Sequence, residues 1–434
     1  MPKIIDLFAG LGGIRLGFKE AMDVLGLETE CVFSSEIKPY AIKAYKGFYG
    51  EDEVTNGDIT QVKVEDIPDF DFLLAGFPCQ PFSSAGTRKG FKDTRGTMFF
   101  EIERILKGKI DAGHPAMGFL LENVEGLINH DGGETLKTII NHLEALKYQV
   151  SFRLLDSKFF GLPQSRKRVY IVGTLTDQVS LDNFEESIKT LDSVLEQGLP
   201  TIDSVFTRKL FTYYTPNQVQ GKSIKDKRGG KNNIHSWDID LKGVTSPEEK
   251  KLLSLLLKER RKKHWAEEIG ITWMDGMPLT ENQIRTFYDV PELHEMLEHL
   301  HKMGYLAFEY PKKQIEKEDG TKARIPDETL SKGYNIVAGK LSFEFSKILS
   351  PNEMAPTLVA MDVSKLGVVD GDGIRRLSIR ECQRLCGYPD EYSLDQLSES
   401  EAFDLLGNTV CVPVIKEISL RLGEVYQKQY KGGK

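Results

Sequence analysis

Over residues 1–175 short apolar runs alternate with amphipathic stretches, and few architectures accept that order. Lys3–Phe8, Glu30–Ser35, Phe72–Ala75, Ala116–Leu121, Val150–Leu155 and Arg168–Thr174 have the length and composition of strands. Met98–Leu106 and Glu134–Leu146 carry helical spacing between them. The pattern predicts an α/β fold, a doubly wound sheet with helices on both faces. Such sheets bind ligands at the carboxyl ends of their strands, which is where candidate residues belong.

A chain of 434 residues with 40% hydrophobic and 28% charged residues can bury a sizeable core. That balance excludes a disordered chain, a collagen-like fibre and a small disulfide scaffold. No run approaches the ~18 apolar residues of a membrane span. The start runs directly into strand pattern without a signal-peptide core, so a soluble, cytoplasmic protein is expected. Five cysteines, at 31, 79, 382, 386 and 411, form no C-x-x-C pair and fit a reducing compartment.

The net charge of −8 argues against a nucleic-acid partner until its distribution is followed along the chain. Between Val205 and His264 stand 15 Lys/Arg against 6 Asp/Glu, a local +9 that leaves −17 elsewhere. A basic insert in an acidic body suits a protein with one face for a polyanion, and equally a solvated insertion. From Thr176 to Lys347 the strand–helix period is lost, which predicts a second domain. Inside it Ser246-Pro247-Glu248-Glu249 opens a helix through about Glu268, Thr280 caps a second, and Pro291–Met303 forms a third. A hairpin around Asp319-Gly320 completes an outline, about 246–325, shared by winged helices and plain helical modules.

Four local patterns carry chemistry. Asp6–Gly13 is a strand emptying into a glycine-rich turn, as nucleoside-binding sheets require, with Glu36 spaced to take ribose hydroxyls and Asp58 to meet an adenine amino group. Arg15 stands where a strict G-x-G-x-x-G has its third glycine, so the turn alone does not choose a cofactor. In Gly76–Ser83 two prolines flank Cys79 at a strand's carboxyl end, a setting for a thiolate nucleophile. Cys31, by contrast, reads as a small buried hydrophobe. Phe119–Val124 is an apolar strand delivering Glu122 to the same edge, where an apolar setting can keep its carboxyl protonated. Gln164–Arg168 offers arginines able to orient an anionic or carbonyl-bearing substrate.

In order, Asp6–Gly13, Gly76–Ser83, Glu122-Asn123-Val124, Gln164–Arg168, Arg376–Pro389 and Gly407-Asn408-Thr409-Val410 resemble the motifs of bacterial DNA (cytosine-5)-methyltransferases of restriction–modification type. The resemblance covers about 1–175 and 350–425. It implies S-adenosyl-L-methionine as cofactor and a methyltransferase sheet domain plus a smaller target-recognition domain. The expected division is 1–180, completed by 404–434 packing back, against 181–403 for recognition. The stretch from Arg228-Gly229-Gly230 through His235-Ser236-Trp237 is similar to methyltransferases of GG…CC palindromes.

Carried onto this chain, the resemblance makes Cys79 the nucleophile at carbon 6 of a flipped-out cytosine. Glu122 then holds or protonates ring nitrogen 3, Asn123 supports the site, Arg168 holds the base carbonyl and Arg166 the adjacent backbone. Gln80–Thr97, with Gly86, Gly90 and Gly96, is the expected lid. The implied cofactor shell is Phe8, Gly10, Leu11, Gly12, Glu36, Ile37, Asp58, Ile59, Pro78, Met98, Asn408 and Thr409. Met98 replaces the family's usual leucine and Thr409 its frequent serine. His294, His299 and His301 sit among glutamates on an amphipathic helix, and no metal is expected. The expected partner is double-stranded DNA, met by a monomer, with a cognate restriction endonuclease acting on the same site. A tRNA cytosine-5 methyltransferase is the alternative with the same chemistry. A dehydrogenase fits the glycine turn less well, and a DNA-binding repressor leaves the catalytic motifs without purpose.

Overall fold

The structure, a computed structural model, describes residues 1–78, 98–316, 322–337 and 343–431. The chain divides into two compact units. The first comprises Met1–Glu196, Pro351–Val363 and Ser378–Lys434; the second comprises Gln197–Ser350 and Ser364–Leu377. The second unit is thus narrower than the expected 181–403, because 181–196, 351–363 and 378–403 pack with the sheet unit. The rethreading has visible anchors. Leu191 and Asp192 donate backbone N–H groups to the carbonyls of Glu353 and Pro351, and Ser165 donates to Ala355.

In the first unit the chain runs β1 (Lys3–Leu7), α1 (Gly13–Val24), β2 (Glu30–Ser35), α2 (Pro39–Tyr49), β3 (Thr55–Asn56), β4 (Phe72–Gly76), α3 (Met98–Asp111), β5 (Gly118–Val124), α4 (Glu134–Ala145), β6 (Gln149–Asp156) and β7 (Lys167–Thr174). These form one seven-stranded sheet in the order β3-β2-β1-β4-β5-β7-β6. The pairs from β3 to β5 are parallel, and β7 runs antiparallel to both β5 and β6.

Alternation along each strand explains the two-faced burial. Ile5, Leu7, Leu73, Ala75, Phe119 and Leu121 face the core lined by α3 and α4. Ile4, Phe72, Leu74, Leu120 and Val172 face the opposite core, lined by α1 and the helix Val412–Lys431. The helix Val412–Lys431 therefore packs back onto α1. Gly17 makes this approach close, since a Cβ there would lie 2.7 Å from Ile415. Strand order reverses between β1 and β4, which opens a crevice at their carboxyl ends.

The second unit holds a five-stranded sheet, ordered Gly373–Arg376, Leu366–Asp370, Lys347–Ile348, Ser223–Ile224 and Asn233–Ile234. Its helices pack around Trp237, Leu252, Leu256, Leu297 and Leu300. The helix expected through Glu268 ends at Glu259, and a separate short helix covers His264–Glu268. Tertiary contacts break it. Arg260 is buried, its carbonyl accepts the Met277 N–H, and its guanidinium donates to Asn335 Oδ1 at 2.8 Å. Glu281–Arg285 and Leu293–Lys302 follow. Lys312–Glu316 then pairs antiparallel with Lys322–Pro326, while Asp319 and Gly320 lie outside the described residues. Among the described residues no helix is long and apolar enough to cross a membrane.

Candidate active site

The crevice is lined first by the turn after β1. Phe8, Gly10 and Gly12 have φ of 55°, 53° and 69°. That left-handed run curls the backbone tightly, and Gly12 closes it as the residue preceding α1. A Cβ on Gly12 would lie 2.5 Å from the Tyr49 ring, whereas one on Gly10 would meet, among the described residues, only the Phe8 carbonyl, at 4.0 Å. Gly10 thus faces an open cradle, while Gly12 is required by packing. Arg15, in the third-glycine position, donates to Tyr45 and Glu53 and lies over the Tyr49 ring. Asp6 beneath the turn is buried, and burial pushes its carboxyl up to about 7.

Hydrogen bonds join this turn to the ends of β2 and β3. Glu36 accepts the Gly10 N–H with one carboxylate oxygen and the N–H groups of Ile37 and Lys38 with the other, each at 2.8 Å. Ser35 donates to the Gly57 carbonyl at 2.6 Å, which brings Asp58 alongside. Ile37 presents an apolar side chain that is 68% exposed, the reverse of what an isoleucine in a core strand does. Ile59 and Leu11 are buried, so only their backbones can face a ligand. Met98 opens α3, half-buried against the core.

Asn408, far along the chain, donates to the Asp404 carbonyl and carboxylate. The same carboxylate takes Lys38 Nζ at 2.8 Å and the Tyr40 hydroxyl at 2.7 Å. Asp404 therefore fastens Asn408 to the loop after β2, and nothing in its local sequence signals this. Thr409 turns inward, its hydroxyl 2.5 Å from that of Tyr388.

The second wall is β4 and β5. Gly76 pairs with Glu122 across the parallel ladder. The expected strand end falls later than predicted, since Glu122 and Asn123 lie within β5. Glu122 is 9% exposed and 3.0 Å from Arg168 Nε. Burial raises its carboxyl above the ordinary range, against the opposing pull of Arg168 and Arg166. Such a group can retain a proton and hand it to a ring nitrogen. Asn123 donates to the Phe77 carbonyl at 3.0 Å and accepts the Val124 N–H at 2.8 Å. It thereby fixes the backbone leading to Pro78, which is exposed. Cys79, with the expected lid of 80–97, lies outside the described residues.

The two arginines part company. Arg168 keeps to Glu122, whereas Arg166 is 2% exposed and spends its guanidinium on the protein. It donates to the carbonyls of Leu358, Gly407 and Thr409, at 2.9, 3.2 and 2.5 Å. The backbone it holds is the chain's own. Gln164 acts with it, donating to the Leu385 carbonyl and accepting the Leu358 N–H. Cys382, Cys386 and Cys411 are buried, and Cys31 is partly so, with its thiol pushed up to about 12 by burial. His294 and His299 pair with Glu281 and Glu249, and His301 with the Leu306 carbonyl. Among the described residues no group of side chains is arranged to hold a metal ion.

The C-5 cytosine-specific DNA methylase family matches this chain over residues 2–424. The chain is 55% identical to the Type II methyltransferase M.NlaIV of Neisseria lactamica over 427 residues, 97% of this chain and 98% of that one. It is 41% identical to the Type II methyltransferase M.HgiCI of Herpetosiphon aurantiacus, again over 97% and 98% of the two chains. In fold it is similar to the S. pombe Dnmt2 methyltransferase, with a TM-score of 0.52 at 18% identity over 98% of this chain and 99% of that one.

Proposed function

The chain belongs to the C-5 cytosine-specific DNA methylase family and is a DNA cytosine-5 methyltransferase, and from that premise we propose how its residues divide the work. DNA, and not tRNA, is the substrate class. The buried Glu122, its carboxyl raised by burial and set against Arg168 on the strand beside the one that leads to Cys79, is the observation that carries the assignment.

Cytosine carbon 5 is a weak nucleophile until a group adds at carbon 6. In this reading the Cys79 thiolate forms a bond to carbon 6 while Glu122 places a proton on ring nitrogen 3, so that the ring's electron density moves to carbon 5. Carbon 5 takes the methyl group. Loss of the carbon 5 proton to a base, expulsion of the Cys79 thiolate and return of the ring nitrogen 3 proton to the Glu122 carboxylate then restore the neutral aromatic ring. Arg168, already against Glu122, orients that carboxyl and meets the base carbonyl. Asn123 acts by positioning, since it pins the Phe77 carbonyl just ahead of Pro78 and Cys79. Arg166 is likewise a positioning residue, holding Gly407 and Thr409 on either side of Asn408. These atoms are unreachable in a stacked duplex, so the base must be flipped out.

S-adenosyl-L-methionine supplies the methyl group when bound. The open cradle at Gly10, the exposed Ile37 and the Asp58 and Asn408 side chains at one sheet edge fit a nucleoside-bearing cofactor. Glu36 has three of its acceptor positions filled by backbone N–H groups, which leaves about one for a ribose hydroxyl. Phe8, Leu11, Gly12, Ile59, Pro78, Met98 and Thr409 complete the shell by backbone or packing. The second unit, with its basic run, reads the site, and the enzyme protects host DNA from a cognate nuclease.

Methyl transfer from labelled cofactor to duplex DNA and to total tRNA tests the reading. Incorporation into DNA, abolished by Cys79→Ser with DNA binding retained, is expected. Incorporation into tRNA alone, or substantial turnover by Cys79→Ala, overturns it.

A further inference from the structure

The Arg228-Gly229-Gly230 stretch has no part in the chemistry above, yet the second unit builds it with care. Lys227, Arg228, Gly229, Gly230 and Lys231 are all exposed. Exposure here does not mean looseness. At the loop's base Asp226 is buried and accepts the Ser236 N–H and hydroxyl at 2.8 and 2.6 Å. Higher up, the Lys227 carbonyl takes Arg260 Nη2, the Arg228 carbonyl takes Asn233 Nδ2 at 2.7 Å, and the Gly230 carbonyl takes the Asn233 N–H. Three of the loop's carbonyls are thus braced from outside it.

The glycines are not there for turn geometry. Neither Gly229 nor Gly230 is among the residues of positive φ; among the described residues a Cβ on Gly229 would meet only Leu257, at an ordinary 3.7 Å, whereas one on Gly230 would press on Asn233 Nδ2 at 3.1 Å. Gly230 makes room for the Asn233 amide that braces Arg228, and Gly229 supplies a backbone without a side chain beside the exposed arginine, which lets a groove come close.

An acid completes the arrangement. Asp275 takes Arg261 Nε at 2.5 Å and lies 3.6 Å from Arg228 Nη2. A surface meant only to attract phosphate gains nothing from a carboxylate at its centre. A surface meant to aim one guanidinium does, because a carboxylate on one side draws the fork toward it while leaving it more than half exposed. We infer that Arg228, aimed by Asp275 and cleared by Gly229, reads a guanine edge in the major groove of the target site. The fork of two N–H groups matches the paired acceptors O6 and N7 of guanine and of no other base. This rests on the second unit being the one that reads DNA.

The test uses the full-length enzyme on a randomised duplex library, with methylated sequences read by bisulfite sequencing. Arg228→Ala should reduce discrimination at one guanine position by about 5- to 150-fold, leaving the other positions unchanged. Arg228→Lys should not restore it, since an ammonium keeps the charge and loses the fork. Asp275→Asn should blunt discrimination at that same position while binding of unrelated duplex stays equal or rises, a result that mere unfolding cannot give. An equal loss across all sequences with a shallower salt dependence would make Arg228 a phosphate contact and overturn the inference. Unchanged discrimination in Arg228→Ala would also overturn it. If exchanging 197–350 for a relative's segment still moves specificity in that case, only Arg228 falls; if it does not, the reading of the second unit falls too.

Discussion

Arg166→Met separates a positioning arginine from a catalytic one. The side chain is 2% exposed, and the substitution keeps most of its volume while removing every donor. The carbonyls of Leu358, Gly407 and Thr409 lose four donated bonds. Hydrogen bonds to a charged group are worth ~1.5–3 kcal/mol each, which summed naively gives ~6–12 kcal/mol. That sum overshoots, since two of the bonds share the Gly407 oxygen and the variant is relieved of burying a cation. Removing one partner from a buried charged cluster costs ~3–5 kcal/mol, and a loss of about 4 kcal/mol is expected. At ~2–4 °C per kcal/mol for a unit of this size, Tm should fall by about 8–16 °C in thermal unfolding followed by circular dichroism. Cofactor affinity should weaken in parallel as Asn408 loses its support. Arg166→Lys should recover little, because one ammonium cannot span three carbonyls. Arg168→Met should show the opposite balance, with a smaller Tm change and a large loss of turnover. A drop of less than about 2 °C for Arg166→Met with methyl transfer abolished would refute the reasoning and return Arg166 to the substrate.

Asp6 gives a pH dependence. Its carboxyl rises from 3.8 to about 7 on folding, so the folded state holds the proton more tightly, and the stability this contributes below pH 4 is lost as pH climbs through 7. At ~1.4 kcal/mol per unit the loss is at most about 4 kcal/mol, and denaturant titrations across pH 4–8 should show Asp6→Asn flattening it. Neutralising Lys258, Lys262 and Lys263 should weaken binding to all duplexes alike and flatten the salt dependence, measured by fluorescence anisotropy, whereas selective loss at one base pair would indicate direct readout. Exchanging 197–350 for a relative's segment should move sequence specificity with little change in the methylation chemistry, scored by bisulfite sequencing.

The sheet was legible because its strands are apolar on both faces, and burial on both faces leaves runs such as Phe72–Ala75 with no other comfortable place. The clustering of Glu36, Asp58 and Glu122 at one edge followed from parallel topology. What stayed hidden was long-range. Arg166 and Arg168 look alike in sequence, and only carbonyls some 190–240 residues away separate their roles. Asp404 is invisible for the same reason, since its partners Lys38 and Tyr40 lie more than 360 residues distant. The helix break at Arg260 falls in a charged, helix-permissive run and is imposed by Met277 and Asn335. Likewise, nothing local to the helix Ile379–Cys386 says which unit it joins, and 378–403 clusters with the sheet unit.

The claim that Cys79 attacks carbon 6 with Glu122 supplying the proton is tested most directly by arresting the reaction midway. Fluorine in place of hydrogen at carbon 5 blocks the exit of the thiolate. Duplex DNA bearing 5-fluorocytosine at the methylated position, incubated with enzyme and S-adenosyl-L-methionine, should therefore give a covalent adduct on a denaturing gel. Cys79→Ser should give none, and Glu122→Gln should form it ~100- to 10,000-fold more slowly, the usual worth of general acid–base help. No adduct from the unaltered enzyme, or equal rates with and without the Glu122 carboxyl, would contradict the account.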